Sequence, residues 1–395
     1  MERDIALLHS EATNALERIY TAILEDEIEQ EEAKMGRMRP GGRVDLARLG
    51  SDIWMQQFRF TWAEVTELAA VLDLPADVVA ENGVREDRVT ALAMLLRRLA
   101  YPARSSDVEM MFGWERSRFS RICQTTASLI YHRWRHLLRF DPTRLTVSKL
   151  QQYAEAISSK CGFKVPVWGF IDGTLRKVAR PILNQRILYN GWKRIHALKW
   201  HSVITPDGLH AHVFGPVEGR RHDETLYKES GLAAILDEHS WDPEGNPLAV
   251  YGDPAYGIGR HLLSPFKGAS LSDEEQAFNA QMSKVREAVE WGFGDAVRQF
   301  AFLDFSKNLK VLLQPVGLLY SVALLLSNAH TILHQPQISQ YFICQPPTLQ
   351  EYFNHAAHPE VPFGAIPEQE VPWTAYVVPE EEVQGGSDIE DDDSI

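Results

Sequence analysis

The sequence predicts an α/β protein in which a mixed sheet follows an all-α region. Up to about Leu138 the apolar residues recur at helical spacing, and from Val165 they fall into short strand-like runs that later alternate with helices. A hydrophobic content of 45% in 395 residues supplies enough apolar side chains for two or three folded units.

Residues 1–34 read as one amphipathic, acidic helix without the basic start and apolar run of a signal peptide. "MGRMRPGGR" is a linker by its Pro and Gly, so residues 1–45 form a first segment. A helical region is expected over 50–145. Within it "REDRVTALAMLLRRLAY" is an apolar-striped helix, "SSDVEMMFG" a short helix capped by Ser105 or Ser106 and stopped at Gly113, and "ERSRFSRICQTTASLIYHRW" a third helix. That order is the order of a helix-turn-helix unit. Arg116, Arg118 and Arg121 open the third helix, where a recognition helix meets DNA; the alternative is a solvated helix face.

The α/β unit is expected over 160–335. "VPVWGFID" is a buried strand ending on Asp172, and "HALKWHSVITPDG" and "LHAHVFGPVEG" are two strands joined by a Pro206-Asp207-Gly208 turn. "RHDETLYKESGLAAILDEH" reads as a helix, "PLAVYGDPAYG" as a strand running into a turn, and "SDEEQAFNAQMSKVREAVEWGFGDAVRQF" as a long helix. Three meandering strands, then helix, strand and helix, is the ribonuclease-H-like order. "VLLQPVGLLYSVALLLSNA" approaches the length of a membrane span, but Gln314, Pro315, Ser321 and Ser327 interrupt it, so a buried core helix is expected and no membrane. A Pro-rich extension over 336–378 and a disordered acidic tail over 379–395 follow.

Cys123, Cys161 and Cys344 stand far apart, which excludes a cysteine zinc site and a disulfide framework and favours a reducing compartment. The formal charge of −14 would argue against nucleic acid if it were evenly spread. Twelve acids lie after Lys310, where no Lys or Arg remains, which leaves only −2 on residues 1–310 and allows a DNA partner.

Two strand-like runs end on an acid, Asp172 in "FIDGT" and Asp253 in "YGDPAYG", and Glu290 sits on an apolar-striped helix. Each has an ordinary explanation: Asp-Gly and Asp-Pro make turns, and Glu290 can pair with Arg286 one turn earlier. Together, carboxylates from strand ends and a helix are hard oxygen ligands for Mg²⁺ or Mn²⁺, and two such ions support in-line phosphoryl transfer. His210 and His212 alternate on an expected strand and would face the same way, with no third soft ligand near them.

The segments "FIDGT", "YNGWKRIHALKWHSVITPDG", "GPVEGRRHDETLYKESGL", "YGDPAYG", "FNAQMSKVREAVEWGFG" and "LLLSNAH" resemble, in order, the DDE nuclease domain of PIF/Harbinger-type transposases. The resemblance implies a ribonuclease-H-like DDE core with Asp172, Asp253 and Glu290 as its catalytic and metal-binding triad. It implies two Mg²⁺ or Mn²⁺ ions as cofactors, and an accessory, capping or substrate role for His222 and Asp223. The activity implied is hydrolysis of phosphodiester bonds at transposon ends and joining of the 3′-hydroxyl to target DNA. DNA is the partner, with a Myb-like DNA-binding protein and a second copy of the chain as further partners, and a nuclear location, partner-dependent, or otherwise a cytoplasmic one. Lys193, Arg194, Arg220 and Arg221 join the three helix arginines as DNA-phosphate ligands. A domesticated descendant that binds DNA or protein without catalysis is the alternative.

Overall fold

The computed structural model describes residues 44–181, 185–307, 309–311, 313–335 and 337–354. The helix expected over 1–34, most of the Pro-rich extension and the acidic tail lie outside the described residues. The chain divides into two compact units, Met1–Ala127 and Ser128–Ile395.

In the first unit, helix α1 (Ser51–Phe58) precedes α2 (Trp62–Val71), which opens on a capping box of Thr61 and Glu64. A hairpin follows that the helical reading of 50–145 did not anticipate: β1 (Asp77–Val79) pairs antiparallel with β2 (Arg85–Asp87). Its signal was present in "ENG", a turn pair between short alternating runs. Asp87 then caps α3 (Arg88–Ala100) by accepting from the amides of Val89 and Thr90, and α3 is buried along nearly its whole length. Helix α4 (Ser105–Phe112) ends at Gly113 as expected, although Arg104 and not a serine holds the N-cap position. Helix α5 (Arg116–Trp134) completes the series, and the division between the units falls within it.

The second unit begins its α/β layer with α6 (Val147–Cys161), capped by Thr146. Strand β3 (Val167–Lys177) follows, then a single helical turn α7 (Gln185–Leu188), β4 (Tyr189–Asn190), β5 (Ile195–Ile204) and β6 (His210–Glu218). Where one helix was expected there are two, α8 (Asp223–Glu229) and α9 (Leu232–His239), because Gly231 takes a left-handed φ of 71° that stops the first and starts the second. Strands β7 (Ala249–Tyr251) and β8 (Leu262–Leu263) precede the long helix α10 (Asp273–Gln299), which opens on a Ser272–Glu275 capping box. Helices α11 (Val316–His334), α12 (Gln337–Phe342) and α13 (Leu349–Tyr352) end the described chain.

The sheet is mixed. Its order is β4-β5-β3-β7-β8, with β6 also on β5; β3, β5 and β6 are antiparallel, while β7 runs parallel to β3 and β8 parallel to β7. Helix α11 is long and apolar enough to cross a membrane by length and composition, yet its side chains are almost all buried within this unit. Asn328 on α11 explains one polar residue there: its side chain accepts from the His210 amide at 2.9 Å, donates to the His210 carbonyl at 3.0 Å and donates to the Tyr352 hydroxyl at 2.7 Å. It thereby satisfies backbone groups at the start of β6 that would be costly to bury unpaired.

Two expectations about the strands are corrected. β3 does not stop at Asp172 but continues five residues to Lys177, still paired with β5, so Asp172 is a strand-interior residue facing Ser202. His210 and His212 do not share a face, because the register shifts between Val203 and Ile204. His210 contacts the Ser202 hydroxyl at 2.9 Å, whereas the His212 ring lies 5.6 Å from that of His201, the neighbour of Ser202 and so on the other side of the sheet. Burial drives His201 down to about 3 and His210 to about 4, and holds His212 well below the ordinary imidazole range.

Candidate functional site

The site is built around the middle of β3. Its parallel neighbour β7 pairs with it only as far as Phe170 opposite Tyr251, so Asp172 lies just past the end of β7, where the sheet opens. That position answers the cost of an acid on a core strand: the Asp172 side chain keeps 26% of its surface exposed and is not sealed in. Its Oδ1 accepts from the Gly173 amide at 2.8 Å, and its Oδ2 stands 3.5 Å from Arg286 on α10.

Asp253 follows β7 by two residues. It caps the short 3-10 turn Pro254–Tyr256 by accepting from the Ala255 amide at 2.9 Å, so the turn-forming role read from Asp-Pro is real and fixes where the carboxylate sits. The same turn brings in Tyr256. Its hydroxyl is buried and held well above the usual phenol range, by desolvation first and then by the negative charges of Asp223, Asp172 and Asp253 in that order. One phenol thus lies within electrostatic range of all three aspartates.

Asp223 reaches this group from the opposite side of β3. Adjacent strand residues point to opposite faces, so the face opposite Asp172 is that of Gly173, and a Cβ there would collide with Asp223 Oδ1. Asp223 Oδ2 pairs with Lys199 Nζ at 2.9 Å, and Lys199 also donates to the Arg221 carbonyl at 2.9 Å. Asp223 is the first residue of α8 and His222 occupies the N-cap position without a side-chain cap bond, so Asp223 is turned toward Lys199 and Tyr256 instead of toward its own helix. His222 is exposed. Sequence reasoning ranked Asp223 below the triad, placed Lys199 only in a basic set of possible DNA-phosphate ligands and did not single out Tyr256, whose signal was its place in "YGDPAYG".

Glu290 lies on α10 one turn beyond Arg286, but its side chain lies outside the described residues. Among the described residues no three His, Cys, Asp or Glu are grouped closely enough to hold a metal ion. Asp172, Asp253 and Asp223, the three carboxylates whose charge reaches Tyr256, offer oxygen alone, which fits a hard divalent cation and not a soft one.

The candidate DNA ligands separate. Arg118 is 4% exposed, its guanidinium over the Trp114 ring at 3.4 Å and bonded to the Arg85 carbonyl, with Glu86 3.8 Å away, so it is occupied by the packing of its own unit. Arg116 and Arg121 are exposed. In the second unit Lys193, Arg194 and Arg220 are exposed, while Arg221 is engaged by Glu218 and Glu229.

Comparison with curated proteins and with solved structures gives no match. Residues 171–328, from the residue before Asp172 to Asn328 on α11, match the family model described as DDE superfamily endonuclease, a family of transposase-like nucleases that act on DNA and generally use divalent metals.

Proposed function

We propose that the chain is a divalent-metal-dependent DNA endonuclease and strand-transferase of the PIF/Harbinger type, with a ribonuclease-H-like core and a helix-turn-helix region formed by α3, α4 and α5. The observation that supports the reading is that Asp172, in the interior of β3, and Asp253, two residues after β7, both lie just past the end of β7, inside the stretch that matches the endonuclease family. Asp172 and Asp253, with Glu290 from α10, would hold two Mg²⁺ or Mn²⁺ ions; such ions, when bound, generate the attacking nucleophile and stabilise the leaving oxygen of an in-line displacement. Lys199 pairs with Asp223 and fixes it against Gly173, and the buried Tyr256 hydroxyl donates toward Asp223, so this carboxylate is positioned before substrate arrives. The exposed Arg116, Arg121, Lys193, Arg194 and Arg220 would hold DNA phosphates. A Myb-like protein, self-association and a nuclear location belong to the same proposal.

One observation favours the second reading, a descendant that binds DNA or protein without catalysis: Arg286 stands at Asp172 and can neutralise it without a metal. Mn²⁺-dependent nicking of supercoiled plasmid decides between them, run beside Asp172→Asn, Asp253→Asn and Glu290→Gln. Nicking by the parent that each variant loses supports the nuclease; a parent that neither nicks nor takes up Mn²⁺ by calorimetry refutes it.

A further inference from the structure

Between Asp172 and Asp207 the chain carries no acid and seven Lys and Arg, in a protein of net charge −14. In the middle of this stretch β4 turns into β5 through Gly191, Trp192, Lys193 and Arg194. Trp192 is 90% exposed, the highest value among the large apolar side chains described, and Tyr189 at the base of the turn is exposed as well. The turn itself is held firmly. Asn190 Oδ1 accepts from the Lys193 amide at 2.8 Å, Asn190 Nδ2 donates to the Gly219 carbonyl at 2.6 Å, and Arg194 closes the loop in the left-handed region at φ 54°. The Tyr189 ring packs 5.3 Å from that of His196 on the facing strand.

A tryptophan kept in water by a fixed loop forfeits the burial that a floppy loop would recover by folding it inward. Followed by two exposed cations on a stretch without acids, it has the chemistry of a side chain that meets bases while its neighbours meet phosphates. We propose that the Gly191–Arg194 tip is a DNA contact in which Trp192 wedges against a base step and Lys193 and Arg194 hold the phosphates beside it. The inference takes its choice of DNA from the nuclease reading. β5 sets the distance: Ile195 at the tip and Ser202, opposite Asp172, are seven residues apart, about 23 Å at ~3.3 Å per residue. That length corresponds to about seven base pairs of B-form duplex, so the wedge acts on DNA flanking the carboxylate site and not on the scissile bond.

The test uses the full chain in EDTA with 30-base-pair duplexes that carry 2-aminopurine at successive positions. The parent should brighten the probe at one or two neighbouring positions. Trp192→Ala should abolish that brightening and weaken binding about ten-fold at every salt concentration, as loss of one stacked base does, while Trp192→Phe keeps most of both. Lys193→Ala with Arg194→Ala should instead reduce the slope of log K against log salt by about two. Equal affinity and an equal probe pattern in parent and Trp192→Ala would overturn the proposal and give the tip to a protein or lipid partner. The nicking assay separates the two claims: hairpin-dependent binding without nicking leaves the contact standing and removes the nuclease, and nicking with an inert Trp192 does the reverse.

Discussion

Two aspartates in the second unit sit on or beside the same antiparallel strands and have opposite fates. Asp207, in the β5–β6 turn, is wholly buried and answered on every side: Tyr153 and Thr205 donate hydroxyls to it, the Leu209 amide reaches it at 3.3 Å, and the buried Arg144 stands 3.6 Å away. Asp172, on β3, keeps a quarter of its surface in water, with the guanidinium of Arg286 at the long distance of 3.5 Å. Both would be turn or strand acids in a reading of residue types. The difference teaches that a carboxylate enclosed by its own chain's donors is structural, whereas one placed where its parallel neighbour stops keeps part of its surface in solvent.

The sharpest way to break the comparison is to neutralise both. Asp172→Asn is expected to bring Mn²⁺-dependent nicking below detection and to leave the melting temperature within a few degrees of the parent, because no fully buried cation is stranded. Asp207→Ala should behave oppositely. It leaves the buried Arg144 with only the weaker influence of Asp141 as a negative charge and should cost about 3–5 kcal/mol, a fall of roughly ten degrees in melting temperature by calorimetry. If Asp207→Ala melts like the parent, the enclosed cluster does not hold the fold.

A smaller effect probes how finely the open site is set. Gly173→Ala should push Asp223 off β3 and reduce nicking by up to about a hundred-fold, with Lys199 left to find another partner; unchanged rates would remove Asp223 from the site. A milder one is pH. His201, His210 and His212 are held neutral when folded, at about 3 for His201 and about 4 for His210, against an ordinary 6.5 when unfolded. The unfolded chain therefore binds more protons below pH 6.5, so stability should fall steadily as pH drops from about 6.5 toward 4, and His201→Asn with His212→Asn should flatten that fall. A urea midpoint that is flat over this range in the parent would contradict the burial of these rings. The smallest contrast lies in the first unit, where Arg118→Ala should lower its stability, while Arg116→Ala and Arg121→Ala should change only the affinity for DNA and its salt dependence.

The elements and their order were largely legible because helices and strands here follow their own periodicities. The α3, α4, α5 series and the capped start of α10 match the expected spans closely, while the buried α11 is displaced five residues toward the C-terminus of its expected span because it starts after Pro315. What escaped was whatever depends on a neighbour. The continuation of β3 past Asp172 is decided by pairing with β5, since Thr174, Arg176 and Lys177 give no apolar signal of a strand. The separation of His210 from His212 comes from a register shift that alternation cannot reveal. Arg118 has the same chemistry as Arg116 and differs only in facing Trp114 and Glu86. Asp253 was legible as an acid just after a strand, but Lys199 and Tyr256, 57 positions apart in the chain, meet at Asp223 only through the fold.

Asp172 and Gly173 have a consequence for how this protein can change over generations. Their neighbouring positions serve opposite faces, the acid turned toward α10 and the bare backbone yielding room to Asp223. Losing or gaining one residue between Gly169 and Asp172, past the irregularity that the strand already carries, would exchange the two faces, burying the carboxylate near Lys199 and leaving a gap beneath Arg286. Lineages that keep this site can therefore lengthen the loops around β3 freely, but the residue count from Gly169 to Asp172 is closed to insertion and deletion.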